Sequence, residues 1–218
     1  MSAQSPKQAV FEQISGVARA LGSPSRLELL EQLGQGEATV EALAGRTGLS
    51  VANASQHLQH LRRAGLVAAR RVGKHIIYAL SDDAVIGLVD TLSRLAERHV
   101  AEIERIRRDW FDARDAMEPV TREDLMARMR DGVVTLLDVR PPEEAAAGRL
   151  PGAINVPLAE LEERLSEFDP NLEIIAYCRG PWCVLAFEAV AKLRKRGLTA
   201  RRLDGGLPQW RAAGLPVV

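Results

Sequence analysis

The apolar pattern of this chain changes at Pro119, and that change constrains the fold more than any other feature. Before Pro119, apolar residues recur every three or four positions, which is typical of amphipathic helices. After it, short apolar runs alternate with helical patterns, as in a parallel sheet covered by helices. The sequence therefore predicts a multidomain protein, with a mostly α region followed by an α/β domain over residues 119–218.

Four helices and a hairpin are predicted in the first 81 residues, and the first two helices should end at Gly22 and Gly34. Thr39 is placed to begin the third helix and Ser50 to begin the fourth, and only Thr47-Gly48-Leu49 separates them. The fourth helix should end at Gly65. Residues 66–72 and 75–80 then read as strands joined by a tight turn at Gly73-Lys74. This order predicts a helix-turn-helix followed by a wing.

The charge of this region is uneven although the formal net charge of the chain is zero. Between Ser50 and Leu80 there are five basic residues and no acidic one, and three of the four histidines lie there. A surface of one sign is typical of proteins that bind phosphates, whereas ordinary solvated faces mix both signs.

The same stretch resembles the winged helix-turn-helix of ArsR-type repressors. The motifs that carry the resemblance are Leu49-Ser50-(x4)-Ser55-Gln56-His57-Leu58-(x2)-Leu61-(x2)-Ala64-Gly65-Leu66-Val67 and Arg70-Arg71-(x)-Gly73-Lys74-(x3)-Tyr78. It implies binding to double-stranded DNA at a palindromic operator. The side chains expected at base edges or nearby phosphates are Asn53, Ser55, Gln56 and His57. Those expected on phosphates are Arg62, Arg70, Arg71 and Lys74. For each of them, plain solvated surface is the alternative.

Many proteins of that family sense metals, but this sequence departs from their ligand pattern. The usual cysteine pair would fall at Thr39 and Glu41, which offer no thiolate for a soft metal. A second family site would need ligands at Ile86 and Leu88, which cannot supply them. We therefore expect no metal site.

An apolar stripe runs from Val85 to Trp110 at helical spacing, and the stretch contains no Pro and a single Gly, Gly87. It predicts one helix from Asp82 to about Met117, on the order of 50 Å long, so residues 82–118 form a dimerisation helix and tether. A small winged helix cannot bury this stripe alone, which favours a homodimer. Packing against the C-terminal domain of the same chain is the alternative.

The only two cysteines, Cys178 and Cys183, lie in one short loop. An apolar run, residues 173–177, predicts a buried strand before the loop, and a helical pattern begins at Val184. Backbone N–H groups and the helix dipole at that position favour an anion, so a thiol there should ionise easily. A small buried hydrophobe is the alternative.

Residues 119–218 resemble a rhodanese domain. The resemblance is carried by Leu137-Asp138-Val139-Arg140-Pro141-(x)-Glu143, Gly148 to Pro157, Tyr177-Cys178-Arg179, and the tail from Leu203 to Val217. It implies that Cys178 takes a sulfane sulfur from a small-molecule donor and holds it as a persulfide. Arg179 follows Cys178 in the matched motif and is assigned to the site, while Asp138 and Arg140 form an ion pair with a supporting or purely structural role. No cofactor is implied.

The loop departs from the rhodanese pattern at two positions. Cys183 stands where thiosulfate-using members often have Arg, and Pro181 removes one backbone N–H. Cys183 is either a resolving cysteine that turns a Cys178 persulfide into a disulfide, or a buried helix residue facing the sheet.

Together these observations favour a regulator in which sulfur loading or oxidation at Cys178 changes DNA affinity. The alternatives are a sulfurtransferase with an attached DNA-binding domain and a DNA-binding regulator with a catalytically silent rhodanese domain. The polar N-terminus and the lack of a long apolar run predict a cytoplasmic protein without a membrane span.

Overall fold

The computed structural model describes residues 5–113, 115 and 117–218. The chain divides after Val89 into two compact units. The boundary falls inside a helix, whereas the three-part division at residues 81 and 118 stays a prediction. No helix within the described part of the chain is long and apolar enough to cross a membrane.

The first unit is a winged helix-turn-helix. Its helices are α1 (Pro6–Leu21), α2 (Pro24–Gly34), α3 (Val40–Thr47) and α4 (Val51–Arg63). As predicted, the hydroxyls of Thr39 and Ser50 accept hydrogen bonds from N–H groups in the first turns of α3 and α4. Gly48 ends α3 with a φ of 66°, a left-handed conformation that glycine adopts without strain. Leucines from α2, α3 and α4 form the core of this unit.

The wing is an antiparallel hairpin of β2 (Val67–Val72) and β3 (His75–Leu80), joined at Gly73-Lys74 as expected. A two-residue strand, β1 (Ala38–Thr39), pairs with β3 and was not predicted. This third strand fixes the start of α3 to the wing, because Thr39 both pairs with Ile77 and caps that helix.

The prediction of one uninterrupted helix over residues 82–117 is wrong. The structure has α5 (Ala84–His99), α6 (Ala101–Ile106) and a π-helical segment, Arg107–Asp112. Val100 separates α5 from α6 with φ −107° and ψ 99°, an extended backbone that β-branched residues favour. No Gly or Pro marks the break, so the local pattern gave no warning of it.

The second unit contains a parallel sheet with the strand order β5-β4-β6-β7. Its strands are β4 (Val134–Asp138), β5 (Ile154–Asn155), β6 (Glu173–Cys178) and β7 (Ala200–Gly206). Its helices are α7 (Arg122–Arg130), α8 (Pro142–Ala146), α9 (Val184–Lys195) and α10 (Leu207–Ala212). One core lies between the sheet and α9, and the other between the sheet, α7 and α10. The multidomain fold class is therefore confirmed.

The sequence of residues 158–168 also predicts a helix, from Leu158 to Phe168, and this prediction is wrong. The segment forms successive turns and a 3₁₀ turn, Leu165–Glu167, in which N–H groups bond to carbonyls three residues back. Leu161 and Phe168 are buried against the core all the same. Tertiary packing has overridden a segment rich in helix-forming residues, because intrinsic propensity is only a weak guide to the folded backbone.

Candidate functional site

The cysteine loop lies where the sequence predicted it. Cys178 is the last residue of β6, and Cys183 occupies the N-cap position of α9. Apolar residues of β6 are buried on both faces of the sheet, which fixes the strand and therefore the start of the loop. The candidate nucleophile is thus held at the carboxyl edge of a parallel sheet, where such folds bind their ligands.

The two cysteines are joined by a disulfide, with their Cα atoms 6.1 Å apart. Cys178 is fully buried and Cys183 is 7% exposed, and both contribute to the core beside α9. The two interpretations of Cys183 are therefore compatible in this state, because a buried residue at the start of α9 is also bonded to the candidate nucleophile.

The loop amides are partly occupied in the disulfide-bonded state. Cys183 donates its N–H to the carbonyl of Gly180 at 3.1 Å, and Pro181 has none to donate. Of the five backbone nitrogens of residues 179–183, two therefore cannot donate a hydrogen bond to an anion.

The backbone of β7 forms one wall of the loop at Gly206, which pairs with Cys178. A Cβ atom at position 206 would lie 2.3 Å from the carbonyl oxygen of Cys178 and 2.8 Å from the nitrogen of Gly180. Only a residue without a side chain allows this approach.

Arg179 is held by a carboxylate that the sequence pattern did not indicate. Glu144 of α8, whose side chain is 1% exposed, accepts hydrogen bonds from Arg179 Nε at 2.9 Å and from Nη2 at 2.7 Å. Such a bidentate pair fixes the guanidinium plane. The neighbour Glu143 belongs to the quoted motif, but only the fold shows that Glu144 reaches Arg179.

Asp138 and Arg140 form the expected ion pair, and both are fully buried. Arg140 Nη2 donates to Asp138 Oδ2 at 2.6 Å and to the carbonyl of Gly148 at 2.8 Å. Tyr177 donates its hydroxyl to Asp138 Oδ2 at 2.8 Å and accepts from the N–H of Leu150. Burial, with the nearby Asp138 charge, raises the pKa of Tyr177, so the phenol stays protonated.

This buried network lies on the other face of the sheet from the disulfide. Successive strand residues point to opposite faces, and Tyr177 packs with α7 and α10 whereas Cys178 packs with α9. The arrangement favours the structural role of Asp138 and Arg140, and a catalytic role stays a prediction.

Three aromatic rings, hereafter the aromatic cluster, connect the loop to the π-helical segment. The ring of Phe111 lies 5.2 Å from that of Trp182 in the loop and 4.6 Å from that of Phe187 on α9. The guanidinium carbon of Arg202 lies 3.5 Å from the centroid of Phe187. No sequence pattern pointed to this cluster, because its members come from distant parts of the chain.

Asp115 fixes the chain just beyond the π-helical segment. Its side chain is fully buried and bonds to Arg194 Nη1 at 2.7 Å and to Arg202 Nε at 2.8 Å. A carboxylate with two arginine partners is a strong anchor, because removing it would leave buried positive charge without compensation.

The candidate DNA-reading residues of α4 differ in accessibility. Asn53 and Gln56 are exposed, whereas Ser55 and His57 are half-buried. His57 has a buried Nδ1 without a hydrogen-bond partner. Gln56 and Asn53 are therefore the best placed of the four to meet base edges.

The candidate phosphate-binding residues are all exposed, but two of them have hydrogen-bond partners within the first unit. Arg70 forms an ion pair with Glu37, and Arg71 donates to the carbonyl of Gly73. An approaching phosphate would have to compete with Glu37 for Arg70. Lys74 is exposed at the hairpin turn, and Arg62 is exposed near the end of α4.

Comparison with known families agrees with both halves of the fold. A helix-turn-helix domain model matches residues 21–70, and a rhodanese-like domain model matches residues 121–213. The fold and the cysteine loop thus define a winged helix-turn-helix protein with a C-terminal rhodanese-like domain.

The chain is 43% identical to the HTH-type transcriptional regulator Rv0324 of Mycobacterium tuberculosis, over 97% of this chain and 92% of that protein. It belongs to that family of HTH-type transcriptional regulators. It is also 33% identical to a sulfurtransferase of Allochromatium vinosum, over 45% of this chain and 92% of that protein.

Among solved structures, a homodimeric winged helix-turn-helix DNA-binding domain from Mycobacterium bovis has 39% identity and a TM-score of 0.42. The match covers 46% of this chain and 94% of the Mycobacterium bovis chain.

Proposed function

We propose that this transcriptional regulator is a homodimer that binds a palindromic operator. Its affinity for that operator changes when sulfane sulfur oxidises the cysteine loop. The observation that carries the proposal is the disulfide between Cys178, at the end of β6, and Cys183, at the start of α9. A resolving cysteine beside a reactive one is typical of redox sensors.

The sulfur chemistry can be written as two displacements. The Cys178 thiolate attacks the sulfane sulfur of a polysulfide, an S–S bond of the donor breaks, and a shorter polysulfide anion leaves. The Cys183 thiolate then attacks Cys178 Sγ and displaces sulfide. The two thiols are oxidised to a disulfide and the sulfane sulfur is reduced to sulfide, so a cellular thiol must later reduce the disulfide.

Dimerisation is supported by exposed apolar surface on two helices. Leu92 and Leu95 of α5 are 40% and 49% exposed, and Phe11 and Ile14 of α1 are each 56% exposed. Large aliphatic and aromatic side chains at helical spacing are costly in water and typical of an interface. Two recognition helices in a dimer suit a palindromic site.

The decisive experiment is intact mass after a brief polysulfide pulse, on reduced wild-type protein and the Cys178→Ser and Cys183→Ser variants. The proposal expects one added sulfur in Cys183→Ser, none in Cys178→Ser, and loss of two hydrogens in the wild type. Affinity for a DNA duplex selected from a random library is measured on the same samples. Equal affinity of reduced and oxidised wild type would contradict sensing.

A sulfurtransferase is the second candidate, because a relative bears that name and shares a third of its residues with this chain. It predicts sustained transfer of sulfur from thiosulfate to cyanide and an added sulfur that persists whether or not Cys183 is present. The disulfide argues against it, since a bond to Cys183 removes the nucleophile from turnover. No mass change in any variant would favour a silent rhodanese domain.

A further inference from the structure

The π-helical segment lies against the cysteine loop through the side chain of Phe111. We infer that the contact between Phe111 and Trp182 couples the oxidation state of the loop to the helices that precede it. The inference rests on the proposed function and adds the physical connection through which the signal would pass.

Trp182 is tied to the disulfide by its position in the chain. It stands between Pro181, whose ring fixes φ, and Cys183, which is bonded to Cys178. Closing this ring removes most of the backbone freedom of the residues inside it. Reduction restores that freedom, so the orientation of the Trp182 ring depends on whether the disulfide is present.

The surroundings allow Trp182 to move when the ring opens. Phe111, Pro181 and Trp182 border a cavity of about 370 Å³. The backbone of Gly206 lies against Cys178 and Gly180 at the start of the loop. The indole can therefore shift into open volume without displacing the core.

The receiving side of the contact is anchored. Asp115 holds the chain to Arg194 and Arg202, and Phe111 also packs on Phe187 of α9. With these anchors in place, a change in Trp182 acts on the π-helical segment locally rather than releasing the whole tether. That segment directly continues α6, which follows the apolar stripe of α5.

Linkage makes the coupling measurable without DNA. If the disulfide favours the contact, the contact must favour the disulfide by the same factor. The equilibrium is a two-electron exchange in which two glutathione molecules are oxidised to glutathione disulfide and Cys178 and Cys183 become thiols. Phe111→Ala removes the contact and should shift this equilibrium towards the dithiol.

The experiment is a titration of the full-length protein in glutathione buffers of defined ratio, with thiol content read by alkylation and intact mass. Phe111→Ala should lower the ratio of disulfide to dithiol about fivefold, the order expected of one aromatic pair. Phe111→Tyr retains a ring and should titrate like the wild type. Trp210→Phe perturbs the core on the other face of the sheet and should also titrate like the wild type.

An unchanged ratio in Phe111→Ala, or an equal shift in Trp210→Phe, would overturn the inference. A merely structural Phe111 would lower stability without moving the thiol equilibrium.

The two proposals fail in different ways when operator affinity is added. If the wild type responds to reduction and Phe111→Ala responds by the same factor, the coupling through Phe111 is wrong and sensing stands. If the wild type does not respond, sensing is wrong, and a shifted glutathione titration would still show that Phe111 and the disulfide are linked.

Discussion

Replacing Arg140 by Met should destabilise the rhodanese-like unit severely. The guanidinium and the Asp138 carboxylate are both fully buried, and among the described residues Arg140 is the only cation paired with that carboxylate. Arg140→Met leaves Asp138 with the Tyr177 hydroxyl and the Arg140 backbone N–H. Removing one member of a buried ion pair typically costs about 3–5 kcal/mol, a large part of the stability of a small domain.

The assay uses the protein's own tryptophans. Trp110, Trp182 and Trp210 are the only three, and all lie after residue 89, so their emission reports selectively on the second unit. The urea midpoint should fall by roughly 2 M. The double variant Asp138→Leu/Arg140→Met should recover much of the loss, because it leaves no buried charge unpaired.

A loss below about 1 kcal/mol in Arg140→Met would refute this reasoning, since that is the cost of an ordinary neutral hydrogen bond.

The folded variant also tests the structural interpretation of Arg140. Because the network and Cys178 lie on opposite faces of the sheet, the rate of sulfur loading should equal that of the wild type. A slower rate would favour a catalytic role.

Three further predictions concern Lys74, Leu92 and Glu97. Lys74→Ala should reduce the slope of log affinity against log salt by about one, measured by DNA titration at several salt concentrations, because one phosphate contact is lost. Leu92→Glu should turn the dimer into a monomer in sedimentation experiments, since a charge would stand in the apolar stripe. Burial, together with the charges of Asp204 and Asp90, raises the pKa of Glu97, so folding favours its protonated form. Its contribution to stability is lost as pH rises through the carboxyl range, and Glu97→Gln should flatten that fall in urea midpoints taken between about pH 4 and pH 7.

Local patterns were enough to predict the elements that present the candidate site. The buried strand before Cys178, the helix after Cys183 and the caps at Thr39 and Ser50 all depend on neighbouring residues. Such features follow from periodicity and hydrogen-bonding needs that a short window of sequence contains.

Contacts between distant segments were not predictable in this way. Glu144 meets Arg179, and Phe111 meets Trp182, only because the sheet and α9 bring those segments together. The turns over residues 158–168 have the same origin, because packing of Leu161 and Phe168 against the core overrides the helix propensity of that segment.

Gly206 offers a way to change the backbone conformation of the loop without changing its two cysteines. Even one methyl group at that position would collide with main-chain atoms of Cys178 and Gly180, which cannot turn aside as a flexible side chain can. An alanine there would leave both cysteines in the protein and change only the space available to the loop backbone. The absence of a side chain at position 206 is thus a condition for the path that the backbone takes from Cys178 into the loop.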